Sequence, residues 1–440
     1  MLFDLPNPFY KRGDRMRLLL ISHWLFLVWY VTNMLDLGSM HISVSNVQSG
    51  NTVSVIPIIM RNRGSLEVHL VTGGCGYPGY HLGKKLVENG HQVILFDLIQ
   101  LEWPLLDGMT VIQGSITNFD EVEEAFKGVN CVYHMASYGM SGREQLNKKL
   151  IEAVNIGGTE NVIKACMKNK ITRLVYTSTY NVIFGGQEIK DGDDSLPYLP
   201  LDQHPDHYSR TKSIAEKKVL TANGTDGLCT CALRLAGVYG PGEKRHIPRT
   251  LGYVEQGLMI MTYGGGTLQD FLHVDNLVQG HILAGQALSA DRECIAGGQA
   301  YFLSDGAPVN TFEFFRPLFE GLGYKMPKMT LPVSVVYFIA FLTEWIHYFV
   351  ARVYNFQPLL TRTEVFKTGV THYFSIEKAR KQLGYNPTKQ NDISEVLKYY
   401  LDSGHHKIRK EKSAFSDFLW NVILFCIFVC LIMSFLPSVK

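Results

Sequence analysis

The sequence predicts an α/β fold organised around a doubly wound parallel sheet, on three observations. From Leu66 onward, short apolar runs (EVHLVTGG, HQVILFDL, TVIQGSI, CVYHMAS, RLVYTST) alternate with amphipathic stretches, the rhythm of strand, crossover helix and strand. The first run leads into VTGGCGYPGY, residues 71–80, where Gly73, Gly76 and Gly79 stand between a strand and a helix. The second run ends in Asp97, an acid placed where such a sheet grips a ribose hydroxyl.

Taken in order, residues 1–64 are an N-terminal extension. Its apolar segment, 18–31, follows Lys11, Arg12, Arg15 and Arg17 and reads as a signal peptide, a signal anchor or an interfacial helix. Residues 65–405 form the main domain, with a nucleotide-binding core over about 66–240. A smaller C-terminal substrate lobe covers about 241–405, where YGPGEKRHIPR and SDGAPVN break the strand–helix rhythm. Within the lobe, Leu331 to Tyr354 is strongly apolar but carries Pro332, Glu344, His347 and Arg352. Charges at those places disfavour a span, so a helix lying in the membrane surface is expected. Ser375 to Tyr385 reads as a helix capped by Ser375 and stopped at Gly384, and DISEVLKYYLDSGH as the last helix before the tail. Residues 415–436 are expected to be a C-terminal transmembrane helix, because Phe418 to Leu436 is an uncharged apolar run long enough to cross a bilayer.

Composition narrows the partners. A net charge of +2 without a long basic block argues against nucleic acid. Eight cysteines with no C-x-x-C pair read as unpaired, small buried hydrophobes in a reducing compartment, and no metal site is expected.

The chemistry starts at the glycine loop. Glycines let the backbone approach a pyrophosphate, and a helix N-terminus offers it unpaired N–H groups. Asp97 would accept from ribose hydroxyls and repel a 2′-phosphate, so the cofactor expected is NAD. HYSRTKSIAEKKVL sets Tyr208 and Lys212 four residues apart, on one helix face. VYTSTYN brings Ser178 and Thr179 to the carboxyl end of a strand. A secondary alcohol gives up hydride only as its O–H proton leaves, so a base is required at that oxygen. Tyr208 can be that base if the cation of Lys212 favours its ionisation, with a Ser or Thr hydroxyl steadying the same oxygen.

The stretches TGGCGYPG, GSITNFDEVEEAF, VYHMASYGMSGREQL, VNIGGTENVI, YTSTYNVIFGG, PDHYSRTKSIAE, LRLAGVYGPGEKRHIPR and FLHVDNLVQGHILA resemble the extended short-chain dehydrogenases/reductases with a Rossmann sheet. The branch they resemble is that of 3β-hydroxysteroid dehydrogenase, and within it the membrane-anchored family 42E. The resemblance implies Tyr208 as proton acceptor, Lys212 as its cation and ribose contact, and Thr179 as the aligned hydroxyl with Ser178 beside it. It also implies a cofactor pocket including Tyr77, Ser115, Ile116 and Asn155, with His273 and Asp275 of HVDN holding the C-terminal lobe. Three positions depart from the pattern: Pro78 lacks an N–H for the pyrophosphate, Ser115 replaces an acid, and Leu235 replaces a proline.

The expected function is NAD-dependent oxidation or reduction of a 3β-hydroxysteroid or sterol-like alcohol at a lipid bilayer; a homodimer is compatible with it. Two alternatives stand beside it: a nucleotide-sugar epimerase or dehydratase, and a membrane NAD-binding protein with little turnover. The basic KIRKEK before the tail, together with cysteines read as unpaired, places the domain on the cytosolic face of the endoplasmic reticulum. A glycan on the sequon Asn223-Gly224-Thr225 would place it in the lumen instead.

Overall fold

The computed structural model describes residues 66–140, 142–350 and 360–405. The expectations for the extension 1–64 and the tail anchor 415–436 fall outside the described residues.

Thirteen strands are described: β1 (Val68–Thr72), β2 (Gln92–Asp97), β3 (Met109–Gln113), β4 (Cys131–His134), β5 (Arg173–Thr179), β6 (Ile189–Gly192), β7 (Cys229–Leu235), β8 (Gly237–Tyr239), β9 (Thr262–Tyr263), β10 (Phe271–His273), β11 (Ala300–Leu303), β12 (Thr330–Leu331) and β13 (His372–Phe374). Between them run α1 (Tyr77–Glu88), α2 (Phe119–Ala125), α3 (Lys148–Glu152), α4 (Thr159–Lys168), α5 (His207–Thr221), α6 (His246–Glu255), α7 (Val274–Ala287), α8 (Thr311–Gly321), α9 (Val333–Val350), α10 (Arg362–Gly369) and α11 (Ser394–Asp402).

Seven strands form one all-parallel sheet in the order β11-β7-β5-β4-β1-β2-β3. Because side chains alternate along a strand, each strand feeds two cores. Val71, Val175 and Leu233 pack on one face with Leu82 and Leu86 of α1 and Leu277 and Ala284 of α7. Leu70, Leu174 and Tyr176 pack on the other with Val122 of α2, Val162 and Ala165 of α4, and Ala215 and Val219 of α5. The strand order reverses beside β1, and the carboxyl ends of β1, β4 and β5 border the crevice where this architecture takes its ligand.

The later part of the chain is laced into the earlier part. β13 pairs with β6, Lys367 of α10 reaches the cap residue of α5, and α8 and α11 share a core with Ile247 and Leu251 of α6. The expected late helix is shorter than Ser375–Tyr385: its main part is a π-helical turn, Ala379–Leu383, closed by Gly384 in the left-handed conformation at φ +79. Glycine adopts that angle without a Cβ clash, which is why the stop was legible and the start was not.

The apolar stretch from Leu331 does become a helix, α9, with Val335, Phe338, Ile339, Trp345 and Ile346 exposed. Glu344 is paired, accepting from the backbone N–H of Arg362 at 2.7 Å and from its guanidinium Nε at 2.7 Å. Among the described residues no helix is long and apolar enough to cross a membrane.

One expectation is overturned. Cys229, opening β7, and Cys294, in the loop after α7, form a disulfide with their Cα atoms 6.5 Å apart. They lie 65 residues apart in sequence, so only the tertiary fold brings them together and spacing could not reveal the pair. Cys75, Cys131, Cys166 and Cys231 are buried and free, as expected.

Candidate active site

The glycine loop takes its shape from steric necessity. Gly73 sits at φ +72, and a Cβ there would lie 2.9 Å from the Ala136 backbone; a Cβ on Gly79 would collide with the Gly73 carbonyl. Gly76 is the N-cap of α1, with no side chain capping the helix and no acid in its first turn. The helix therefore begins with N–H groups free for an anion. Pro78 lies in that first turn, where its missing N–H costs the helix nothing. It does remove one donor from the cradle. Asp97 is drawn against the loop: its Oδ2 accepts from Cys75 N–H at 3.0 Å and its Oδ1 from Ile99 N–H at 3.2 Å. Burial raises its pKa above the ordinary value, against the pull of these N–H donors.

The remaining pocket candidates divide. Tyr77 contributes its backbone at the first position of α1, while its ring is 7% exposed and packs edge-on against His81. Its side chain thus turns into the protein. Ser115 bonds its neighbours, N–H to Glu121 and Oγ to Thr117. Ile116 is buried, and its side chain fills the space a Cβ on Gly158 would need.

Tyr208 lies in the first turn of α5, whose N-cap Asp206 accepts from Ser209 N–H at 2.6 Å and pairs with Lys367 at 3.2 Å. The phenol is 5% exposed, and burial pushes its pKa up to about 12, partly opposed by a hydrogen bond with Ser137 and by the nearby Arg245. One turn on, Lys212 is 2% exposed; its ammonium donates to the Thr177 carbonyl and lies 4.3 Å from the centre of the Tyr176 ring. Burial pulls its pKa down to about 7, with Glu216 opposing. The structure thus brings a buried phenol and a buried, readily discharged amine to one face of α5, at the carboxyl end of β5.

Of the two strand-end hydroxyls, only Thr179 remains a candidate. Ser178 donates its hydroxyl to Glu216, which is fully buried and also receives Tyr198 and a two-pronged bond from Arg234 at 2.9 and 2.7 Å. Ser178 is therefore part of a buried cluster built around Glu216. Thr179 accepts from the N–H of Asn181 at 3.3 Å and from its Nδ2 at 3.0 Å, and stays in register with Leu235 of β7.

Asn155 lies within a π-helical segment, Ala153–Gly158, a local bulge of the kind that re-aims side chains at functional sites. Its carboxamide accepts from Tyr138 N–H at 2.9 Å and donates to the Tyr138 carbonyl and to Thr211 Oγ1, both at 3.0 Å. It belongs to a longer chain of bonds that sequence reasoning missed. Thr72 Oγ1 meets His134 Nδ1 at 2.7 Å, His134 Nε2 meets Thr159 Oγ1 at 2.9 Å, and Thr159 donates to the Asn155 carbonyl at 2.7 Å. Thr211 then donates to the Tyr208 carbonyl at 2.8 Å. The glycine loop and α5 are thereby joined through the buried interior, with His134 held neutral at a pKa of about 3 by burial and the Lys212 charge. The available signal was a polar pair, Thr72 and His134, inside largely apolar strands, since such groups persist only when bonded. Ser137 carried no such mark.

His273 and Asp275 occupy a different junction. His273 caps α7, accepting from Asp275 N–H at 3.2 Å, and its own N–H donates to Asp305, which also takes Tyr239 and Asn276. An open cleft of about 760 Å³ bordered by Tyr263, Asn310, Arg316 and Tyr324 shares no residue with the site.

The chain matches the model of the 3-beta hydroxysteroid dehydrogenase/isomerase family over residues 70–333. It is 54% identical to short-chain dehydrogenase/reductase family 42E member 1 of Homo sapiens over 385 residues, covering 86% of this chain and 98% of that one. It is 37% identical to a 3 beta-hydroxysteroid dehydrogenase/Delta 5-->4-isomerase of Mycobacterium tuberculosis, covering 78% and 94%. Among solved structures it resembles MoeE5 in complex with UDP-glucuronic acid and NAD, with a TM-score of 0.57 and 22% identity over 77% of this chain and 99% of that one.

Proposed function

Because the chain belongs to the 3-beta hydroxysteroid dehydrogenase/isomerase family and is an NAD-dependent oxidoreductase of the short-chain dehydrogenase/reductase type, we propose that its substrate is a 3β-hydroxysteroid or sterol-like secondary alcohol drawn from a membrane. The observation that carries this reading is the linkage of the catalytic helix to an exposed apolar one. α9 presents Phe338 and Trp345, 58% and 57% exposed, and is tied through Glu344–Arg362 to α10. α10 in turn reaches the start of α5 through Lys367–Asp206 and through Thr363, which donates to the Pro205 carbonyl at 3.4 Å. A helix laid in the bilayer surface by that apolar face would hold the mouth of the site where apolar alcohols dissolve.

The residues fit NAD: the glycine cradle admits a backbone-hugging pyrophosphate and Asp97 stands at the loop. NAD, when bound, accepts the hydride. Tyr208 takes the hydroxyl proton at its phenolic oxygen, Lys212 stabilises the phenolate and meets ribose hydroxyls, and Thr179 orients the substrate oxygen. Asn155 holds the loop at Tyr138 against α5, keeping Tyr208 in place. The same residues run the reduction in reverse.

The test is turnover by the full chain in lipid nanodiscs, read as NADH formation from 3β-hydroxysteroids and sterols and, because epimerisation and dehydration return NAD to its oxidised form, as the sugar product resolved by chromatography from UDP-sugars. Turnover of a steroid or sterol is expected. Turnover confined to UDP-sugars would replace the reading with the epimerase one, and NADH binding without turnover of any compound would replace it with the non-catalytic one.

A further inference from the structure

The disulfide and an unused sequence motif meet at one corner of the fold. The chain leaves α5 through Asn223-Gly224-Thr225-Asp226-Gly227, a turn in which Gly224, Asp226 and Gly227 have φ of +82, +51 and +79. Gly224, Thr225 and Asp226 are exposed, and Asn223 is half-buried. Only the oxygen of the Asn223 carboxamide is committed: Oδ1 accepts from Thr230 N–H at 2.9 Å. That bond fixes the side chain and leaves Nδ2 as an available amide nitrogen. Cys229 is the next-door neighbour of Thr230, and its disulfide partner Cys294 lies on the same spot: a Cβ placed on Gly297 would meet Cys294 Sγ at 2.7 Å and Asn223 Oδ1 at 3.1 Å.

From this juxtaposition we propose that Asn223 carries an N-linked glycan and that the catalytic domain faces the lumen of the endoplasmic reticulum. The disulfide favours an oxidising compartment, and it is in that same compartment that the sequon can be used. A structural disulfide forms and persists where thiols are oxidised, and Asn-X-Thr is glycosylated only where the transferase has its active face. In the transfer, the Asn223 amide nitrogen forms a bond to C1 of the sugar. The bond from C1 to the lipid-linked diphosphate breaks, the diphosphate leaves with the electron pair, and the amide proton passes to a base of the transferase. The turn is built for it, being exposed at its X and Thr positions and pinned at the acceptor oxygen.

The disulfide removes one of the two grounds on which the cytosolic expectation stood, the reading of all eight cysteines as unpaired. A lumenal domain agrees with the basic residues ahead of the apolar segment 18–31, which favour carrying the downstream chain across the membrane. It overrides KIRKEK before the tail, since a folded domain that is already translocated is held by its first crossing. The proposal does not depend on the substrate.

The experiment expresses the full chain in mammalian cells and reads its mobility before and after endoglycosidase treatment. Thr225→Ala and Thr225→Ser serve as the variants, because Thr225 is exposed and neither change disturbs the Asn223–Thr230 bond. A shift in the wild type and in Thr225→Ser, absent in Thr225→Ala, is expected, together with recovery of a Cys229–Cys294 cross-linked peptide by mass spectrometry without reduction. Absence of the shift in the wild type overturns the proposal. So does labelling of both cysteines by an impermeant maleimide in cells whose plasma membrane alone has been opened.

Discussion

Lys212 shows most clearly how single residues set the chemistry. It is buried, its pKa falls to about 7, and its neighbour phenol rises to about 12. With the phenol at about 12 its ionised fraction grows steadily across pH 6 to 9, so the oxidative direction should quicken over that range, less steeply above about pH 7 where Lys212 gives up the charge that supports the phenolate. A pH profile of kcat/KM for alcohol oxidation that is flat over that range would speak against Tyr208 as the base. The same shift has a stability consequence. Between about pH 7 and the ordinary lysine value, the unfolded chain binds a proton that the folded chain does not, so for this group stability rises with pH through that window. Lys212→Met should therefore be more stable than wild type at pH 7 in the absence of NAD, by an amount that shrinks toward pH 10, and inactive throughout; thermal melts at three pH values check it.

Ser178 and Pro78 carry the other residue-scale tests. If Ser178 serves the Glu216 cluster, Ser178→Ala lowers stability by about 1 to 3 kcal/mol while steady-state turnover stays within about threefold of wild type, because the change strands part of a buried acceptor and touches no reacting atom. Loss of turnover with unchanged stability would return Ser178 to catalysis. Pro78→Ile restores an N–H to the first turn of α1 and should tighten NADH binding by roughly ten- to a hundredfold, the equivalent of about 1.5 to 3 kcal/mol for a charge-assisted bond, as read by calorimetry. Unchanged affinity would mean that the other N–H groups of the loop already saturate the pyrophosphate.

At the scale of elements, legibility came from period and punctuation. Five of the seven strands of the main sheet, the glycine loop and the helix bearing Tyr208 and Lys212 each announce themselves by alternation, a glycine cluster or a four-residue spacing, all local signals. The lacing of β6 to β13 and the pairing of Cys229 with Cys294 join residues far apart in sequence and leave no local mark. Nor does the π-helical segment around Asn155, because its extra residue per turn looks like ordinary helix in the pattern. Of the site, the cofactor loop and the Tyr–Lys pair were readable from residue type; the buried relay through Thr72, His134 and Thr159 was only hinted at, and the bond of Ser178 to Glu216 left no mark because the strand end gives position along β5 but not the partner a hydroxyl meets there. Helix α9 yields its own expectation. Phe338→Asp with Trp345→Asp should abolish sedimentation of residues 65–405 with phospholipid vesicles, leaving the thermal midpoint within a few degrees, since both side chains are exposed in the fold. Undiminished sedimentation would place membrane contact elsewhere.

For the whole molecule, acid is the environmental variable to which the fold should respond most. His134, His281 and His372 are buried neutral, with pKa values pulled down to about 3, 4 and 4 by burial. Between the ordinary histidine value and pH 4 the unfolded chain binds protons that these three do not, so their contribution is intact above about pH 6.5 and is lost as pH falls. Asp270 works the other way over much of that range, its pKa raised by burial to about 7. His69, also pulled down to about 4 by burial, adds to the histidines, while Asp97 and Asp305, raised by burial, add to Asp270; the histidine loss is expected to prevail as a net fall in stability on acidification, measurable by denaturant unfolding at pH 7, 6 and 5. The membership that ties this architecture to redox chemistry rests on the sheet, the loop and the Tyr–Lys face acting together. The most direct measurement of that claim is NADH production from a 3β-hydroxysteroid panel by wild type and Tyr208→Phe in parallel, with NADH affinity determined on both. The account predicts turnover in the wild type, none in the variant, and affinities within about threefold of each other; equal turnover in the two proteins would contradict it.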